Sequence, residues 1–313
     1  MTNYLYTTDR TDDKINSVDV STKTEPSIAD TLSDAAFGDT NKVDTLGDKL
    51  VATQRDGAVS VIDISDPTNL SLDGDTGSLT GFSDIYGVVA DGDYAYAVDR
   101  GGLVGAVDIS DASNPSLEGS VSDETILEGA TGVDKSGDYV FVACGRETGG
   151  TGFNDRVAAV DVSDPTNPSI ADDVSDSDDL DGADAIKIHG EYAYIGTWNS
   201  ETLTVIDISN PSNLSIADVN QTDLMEQCFQ IDTISVNNTD YAFCSAKGVA
   251  DPLQDEGGIA VFDISTPTDV ELLDTITLEN GANMHGCQVD ETHAYGLATN
   301  DGALTVIEWE DNR

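Results

Sequence analysis

Side chains able to do chemistry are scarce in this chain, so the few that cluster come first. The densest group is the acidic run Asp172-Asp173-Val174-Ser175-Asp176-Ser177-Asp178-Asp179-Leu180-Asp181-Gly182. Carboxylates at Asp176, Asp178, Asp179 and Asp181 are hard oxygen donors of the kind that hold sodium, potassium, magnesium or calcium. The spacing is not that of an EF-hand loop, and the closing glutamate is missing. In so acidic a chain such a run reads first as a solvated loop, with a bound cation as the sharper alternative.

His189, His285 and His293 share no motif that would gather ligands around zinc or copper. There is no GxSxG, no cysteine–histidine pair in a recognisable context and no phosphate-binding glycine loop. Cys144, Cys228, Cys244 and Cys287 contain no CxxC and form no disulfide framework. Cys144 and Cys244 lie in apolar runs and read as small buried thiols. A bridge between Cys244 and Cys287 stays open, because they fall in neighbouring repeats. These observations give no catalytic residue and no cofactor.

What must position these residues is a repeat. Val205-Ile206-Asp207-Ile208-Ser209-Asn210-Pro211 returns as Val61-Ile62-Asp63-Ile64-Ser65-Asp66-Pro67, Ala106-Val107-Asp108-Ile109-Ser110-Asp111 and Ala159-Val160-Asp161-Val162-Ser163-Asp164-Pro165. Weaker copies stand at Val18-Asp19-Val20, Val261-Phe262-Asp263 and Val306-Ile307-Glu308-Trp309. The acidic positions 19, 63, 108, 161, 207, 263 and 308 are spaced by 44, 45, 53, 46, 56 and 45 residues. Short β segments at that period predict an all-β, seven-bladed propeller filling the chain as one domain, with six blades as the alternative. The repeats run approximately 4–41, 42–83, 84–128, 129–182, 183–229, 230–281 and 282–309.

Each repeat reads as four antiparallel strands, a to d. In the third, Gly87 to Ala90 is strand a, Asp91-Gly92-Asp93 the turn, Tyr94 to Val98 strand b, Leu103 to Ile109 strand c and Ser116 to Val121 strand d. Almost no helix is expected, since no window has a 3.6-residue period. Repeat 1 starts at strand b and repeat 7 stops after strand c, so two short blades are expected. The recurring Asp reads as a turn organiser: its side chain can bond amides just ahead while proline presets the reversal.

The Gly-Asp-Tyr-Ala-Tyr strand followed by Asp-[Ile/Val]-Ser-Asp-Pro resembles the LVIVD-repeat β-propellers over essentially residues 4–309. Repeat 3 departs from the pattern with Ala112 where proline is usual. The resemblance implies a propeller and brings no catalytic residues with it.

In a propeller the b–c and d–a loops share one face. The two longest b–c insertions, 144–156 and 245–258, therefore gather with the d–a links on one side, and loops on a rigid scaffold are where recognition resides. Arg146, Glu147, Phe153, Arg156, Lys247, Leu253 and Gln254 are the candidate partner-binding residues there. The start of each strand a should face an axial funnel, placing Tyr86, Thr131, Asp184, Thr233 and His285 around it. A solvated channel mouth is the plain reading of that set. An enzyme would use His285, Asp184 and Tyr86 as acid–base groups of a hydrolase or lyase.

Charge supplies the remaining constraint: 60 acidic residues face 13 basic ones, a net charge of -47. Nucleic acid finds no basic footprint here. Repulsion of this size opposes compaction in dilute salt and is screened at molar salt, where the Debye length is about 3 Å. Such surfaces are similar to those of proteins from extreme halophiles. No run is long and apolar enough for a membrane span, and the first residues, where Tyr4-Leu5-Tyr6 already resembles a repeat strand, do not read as a signal peptide.

The resulting expectation is a non-enzymatic, protein-binding propeller docked in a larger assembly. A halophilic virus spike or vertex, or a cell-surface complex, is the concrete setting, and a small-molecule ligand is not expected. The alternatives are the axial-funnel enzyme and a calcium-stabilised adhesion module.

Overall fold

The computed structural model describes residues 3–9, 12–23, 25–145, 154–221, 227–247, 257–277, 284–298 and 304–309. Among them there is no helix, and the strands form seven antiparallel sheets in chain order. The first sheet holds β1 (Tyr4–Asp9), β2 (Lys14–Asp19) and β3 (Ser27–Ser33). The second holds β4 (Thr40–Leu46), β5 (Lys49–Gln54), β6 (Val59–Asp63) and β7 (Ser71–Asp75), and the third β8 (Ile85–Asp91), β9 (Tyr94–Asp99), β10 (Leu103–Asp108) and β11 (Ser116–Ser122). The fourth is β12 (Ala130–Ser136), β13 (Tyr139–Cys144), β14 (Arg156–Asp161) and β15 (Ser169–Ser175). The fifth is β16 (Ala183–His189), β17 (Tyr192–Thr197), β18 (Thr202–Asp207) and β19 (Ser215–Gln221). The sixth is β20 (Gln227–Val236), β21 (Thr239–Lys247), β22 (Gly257–Asp263) and β23 (Glu271–Thr277), and the seventh β24 (Met284–Val289), β25 (His293–Ala298) and β26 (Leu304–Glu308).

This is the seven-bladed, all-β propeller that the repeat predicts, with seven sheets rather than six. The short sheets fall where the ragged repeats place them. Among the described residues the first has strands b, c and d, and the seventh strands a, b and c. By contacts the chain divides into two compact units. One is mainly Met1–Val142 with Ala158–Ala171; the other is mainly Asp172–Arg313, joined by residues 143–145 and 154–157.

Within each unit the strands follow from side-chain type. The third strands β10, β18 and β22 are buried along nearly their whole length, as their Val-Ile-Ala composition requires. The first unit packs Ile15, Phe37, Leu50, Ile62 and Leu70 in one cluster and Val61, Phe82, Ile85, Val107 and Ile109 in another. In the second unit Tyr194, Leu203, Val205, Cys228, Cys244 and Phe262 share a core. Phe243, Ile259, Met284, Cys287 and Ala294 form the next. The a–b turns demand positive φ. Gly47, Gly92, Gly137 and Gly190 supply it at 57–62° in the second to fifth sheets, and Asn237 and Asn238 at 50° and 70° in the sixth.

The recurring Asp does what its sequence context predicts. Asp63 Oδ1 accepts from the Ser65 amide at 2.8 Å, and Asp19, Asp108, Asp161, Asp207 and Asp263 accept from Ser21, Ser110, Ser163, Ser209 and Ser265 at 2.8–2.9 Å. The serine hydroxyls and then these amides favour the charged form, so the carboxyls of Asp19, Asp63, Asp108 and Asp161 titrate below the usual range.

A second set of aspartates joins one sheet to the next. Asp30 Oδ2 accepts from the Leu70 amide at 2.7 Å, and Asp44 Oδ2 from Ala90 at 2.8 Å. In the second unit Asp172 accepts from Leu214 at 2.7 Å, Asp218 from Val270 at 2.7 Å and Asp232 from Val289 at 2.9 Å. A carboxylate that accepts a buried amide makes a charge-assisted hydrogen bond, roughly twice as strong as a neutral one. Part of the chain's acidity is therefore internal scaffolding.

Candidate functional site

The start of β14 and the end of β15 lie side by side with the loop that follows. They enclose an open polar cleft of about 490 Å³ lined by Asn154, Asp155, Arg156, Ser175, Asp176, Ser177 and Asp178. Two sequence-derived sets meet here: Arg156 from the loop-face residues, and Asp176 and Asp178 from the acidic run. Arg156 forms an ion pair with Asp173 through Nη1 and Oδ2.

Loop geometry explains the acidic run. Asp176 Oδ1 accepts from the amides of Asp178 at 2.9 Å and Asp179 at 3.0 Å, which holds its carboxyl below the usual range. Its carbonyl takes the amide of Leu180 at 3.0 Å, and Leu180 is buried as the plug of the turn. An equivalent turn stands one repeat earlier: Asp123 caps Thr125 and Ile126, and Leu127 is the buried plug. Asp181 accepts from Asn199 Nδ2 at 2.8 Å. Burial, and then the charge of Asp176, push the Asp179 carboxyl up. Among the described residues no three His, Cys, Asp or Glu side chains come together as metal ligands. The cleft offers an arginine and several carboxylates to a polar partner.

The strand-a residues are found at specific irregularities. Tyr86, Asp184 and His285 are the extra residues of β-bulges at the starts of β8, β16 and β24. A bulge re-aims the side chain it carries. Thr131 is buried, second in β12. Thr233 corrects the expected pattern: β20 begins at Gln227, so Thr233 sits within the strand and Phe229 occupies the bulge. The bulge adds one residue outside the alternation, which hides the true strand start from pattern reading.

Two groupings at this end of the sheets escaped sequence reasoning. In the second unit the His285 ring stacks on Phe229 at 3.9 Å, and Trp198 meets Phe229 edge-on at 5.2 Å. In the first unit Arg55 grips Asp84 with two bonds of 2.6 and 3.0 Å, and Arg100 adds a third at 3.2 Å while lying 5.8 Å over the Tyr86 ring. A usable signal was present for both. Arg55, Arg100 and Trp198 each directly follow strand b, and each amide bonds back to the turn ahead of strand a, at Asp39, Asp84 and Gly182.

His189 Nε2 lies 3.4 Å from Asp240 of the next sheet, and His293 Nδ1 is 2.8 Å from the adjacent Thr292 Oγ1. All four cysteines are buried free thiols, and Cys244 is hydrogen-bonded to Cys228, not bridged to Cys287. Burial raises the thiols of Cys144, Cys244 and Cys287 well above their ordinary values, which makes them inert. Arg146, Glu147, Phe153, Leu253 and Gln254 lie outside the described residues, as does the side chain of Lys247 at the end of β21.

Comparison with known proteins places this geometry. A protein of unknown function from Desulfotomaculum acetoxidans is similar in structure, with a TM-score of 0.74 and 13% identity over 98% of this chain and 92% of its own. A protein from Lactobacillus plantarum matches with a TM-score of 0.68 and 16% identity, over 88% and 82% of the two chains. A chain of the mitotic checkpoint complex matches with a TM-score of 0.70 at 8% identity, over 95% and 82%. At these identities the likeness concerns the fold alone. No curated protein sequence matches the chain. The LVIVD repeat model matches at residues 38–76, 84–123, 129–176 and 182–222, more than half of the chain, which therefore belongs to the LVIVD-repeat family.

Proposed function

We propose that this propeller is a non-enzymatic interaction or structural module, working at high salt as a docked component of a larger surface assembly. The observation that carries the reading is how its chemistry-bearing groups are engaged. The carboxylates of Asp176, Asp218 and Asp232 hold the chain's own amides, and the thiols are buried. Alongside them stands an acidic surface with a polar cleft lined by Arg156, Ser177 and Asp178. A rigid sheet scaffold that presents such a cleft is suited to binding another protein. One structurally similar propeller is a chain of the mitotic checkpoint complex, so the fold serves within assemblies elsewhere.

The net charge of -47 supports the high-salt setting, since screening at molar salt removes most of the self-repulsion. The assembly is that of a halophilic virion, as spike or vertex, or of a cell surface. Affinity capture in molar potassium chloride tests this. A stoichiometric protein partner, released by Arg156→Glu, is the expected result. A chain that stays monomeric and partner-free at molar salt overturns it.

A further inference from the structure

We infer that Asn69 and Asn213 are N-glycosylation sites, each accepting a glycan from a lipid carrier on its side-chain nitrogen. This rests on the surface setting proposed above, since such transfer is made to chains that leave the cytoplasm. The acceptor signal is Asn-X-Ser/Thr with X other than proline. Asn69-Leu70-Ser71 and Asn213-Leu214-Ser215 carry it at one structural place, the turn from the third to the fourth strand of the second and fifth sheets. In each turn the asparagine amide donates to the Asp66 or Asn210 carbonyl at 2.9 Å. The leucine behind it is buried, its amide held by Asp30 or Asp172 at 2.7 Å. Anchored on that inner side, the turn presents the asparagine and the serine outward. Both are exposed, and among the described residues their side chains bond to no other group.

The third and fourth sheets supply the comparison. Asn114-Pro115-Ser116 and Asn167-Pro168-Ser169 occupy the same turn, with the asparagine amide on Asp111 or Asp164 at 3.0 and 2.9 Å and both polar residues exposed. Proline in the middle fixes φ and removes an amide, which excludes these two from transfer. Asn220 and Asn237 also begin open triplets, in different surroundings. Asn220 Nδ2 already donates to the Val270 carbonyl at 2.8 Å, in the seam between two sheets. Asn237 lies inside the tight a–b turn with φ at 50°, and its Thr239 is paired with Val236 in the ladder.

The transfer joins Nδ2 to the anomeric carbon of a glycan carried on a polyprenyl phosphate or diphosphate. The bond from that carbon to the phosphate oxygen breaks, the phosphate leaves with the electron pair, and Nδ2 gives up one proton. In an antiparallel sheet the turn after strand c stands at the opposite end from the b–c loop. A glycan there adds a bulky, solvated group and leaves the b–c end of its sheet open to a protein partner.

Peptide mass spectrometry on the full chain isolated from its own host tests this. Glycan mass is expected on the peptides of Asn69 and Asn213 and on neither Asn114 nor Asn167. Ser71→Ala and Ser215→Ala, made at exposed positions, should each abolish the modification at their own site and leave the other occupied. Bare Asn69 and Asn213 on chain recovered from the cell surface or from a virion overturn the inference and leave the interaction reading standing. Glycan at Asn114 or Asn167, or glycan retained in the serine variants, overturns it as well. Bare asparagines on a chain confined to the cytoplasm overturn the surface setting together with the sites. Occupied sites on a chain that captures no partner keep the inference and reject the docking.

Discussion

The carboxyl groups of Asp155 and Asp181 stand close enough across the turn that closes the polar cleft for the charge of one to act on the other. Burial first, and then the charge of Asp181, raise the Asp155 carboxyl. Asp155 also has φ at 49°, in the left-handed region, and its Oδ1 accepts from the Gly182 amide at 3.0 Å. A raised acid is destabilised in its charged form, so Asp155 costs stability at neutral pH and the cost vanishes as pH falls from its raised titration to that of the unfolded chain.

Asp155→Asn should therefore stabilise the protein by about 0.5–1 kcal/mol at neutral pH. Asparagine keeps the acceptor for Gly182, donates to Asp181 and tolerates positive φ. Thermal melts across pH give the check. The gain should shrink towards acid, and a destabilised variant would show that the carboxylate itself is required.

The sheet-to-sheet carboxylates should be costly to lose. Asp218→Ala leaves the amide of buried Val270 without its charged acceptor and should cost about 1.5–3 kcal/mol. Asp218→Asn keeps an oxygen in place and should cost less than half of that. Denaturant unfolding at molar salt measures both.

Gly196 has no room for a methyl group, since a Cβ there would lie 2.3 Å from Cys228 Sγ. Gly196→Ala should cost about 1–3 kcal/mol by overpacking. Combining it with Cys228→Gly should recover at least half of that loss, because glycine removes both the Sγ and the Cβ, 2.3 and 2.6 Å away, that occupy the space. Additive losses in a double-mutant cycle would contradict the contact.

Stability against pH should depend on salt in a specific way. Hydrogen bonds from the following serine, its hydroxyl first and then its amide, depress the titration of Asp63, Asp108 and Asp161, so their stabilisation is complete above the unfolded value and is lost as pH falls through the folded one. In dilute salt, mild acid first relieves the repulsion of the -47 charge, so the melting temperature should pass through a maximum above that loss. At molar salt screening removes the repulsion and the maximum should flatten into a plateau. Melting curves at two ionic strengths decide this.

The fold was legible because one residue type recurs at one structural place. Asp63 and Asp207 sit at the end of strand c, each bonding the serine two residues ahead, and a side-chain-to-amide turn of that kind is written locally in sequence. The two short sheets were legible for the same reason. Sites assembled across sheets were not. Asp30 and Asp218 look like any acid in an acidic chain, and only the neighbouring sheet reveals that they hold Leu70 and Val270. Phe229 was hidden by its bulge, and with it the stack on His285. Arg156 and Asp176 were each singled out for separate reasons, but their shared cleft depends on the β14–β15 pairing.

The carboxylate latches all point one way along the chain. In every case the acid belongs to the earlier repeat and the amide to the later one, from Asp30 with Leu70 to Asp232 with Val289. A ribosome therefore releases each receptor before the strand it will receive. Each blade latched in this way emerges onto a template already in place, so its assembly during synthesis can proceed from the amino end.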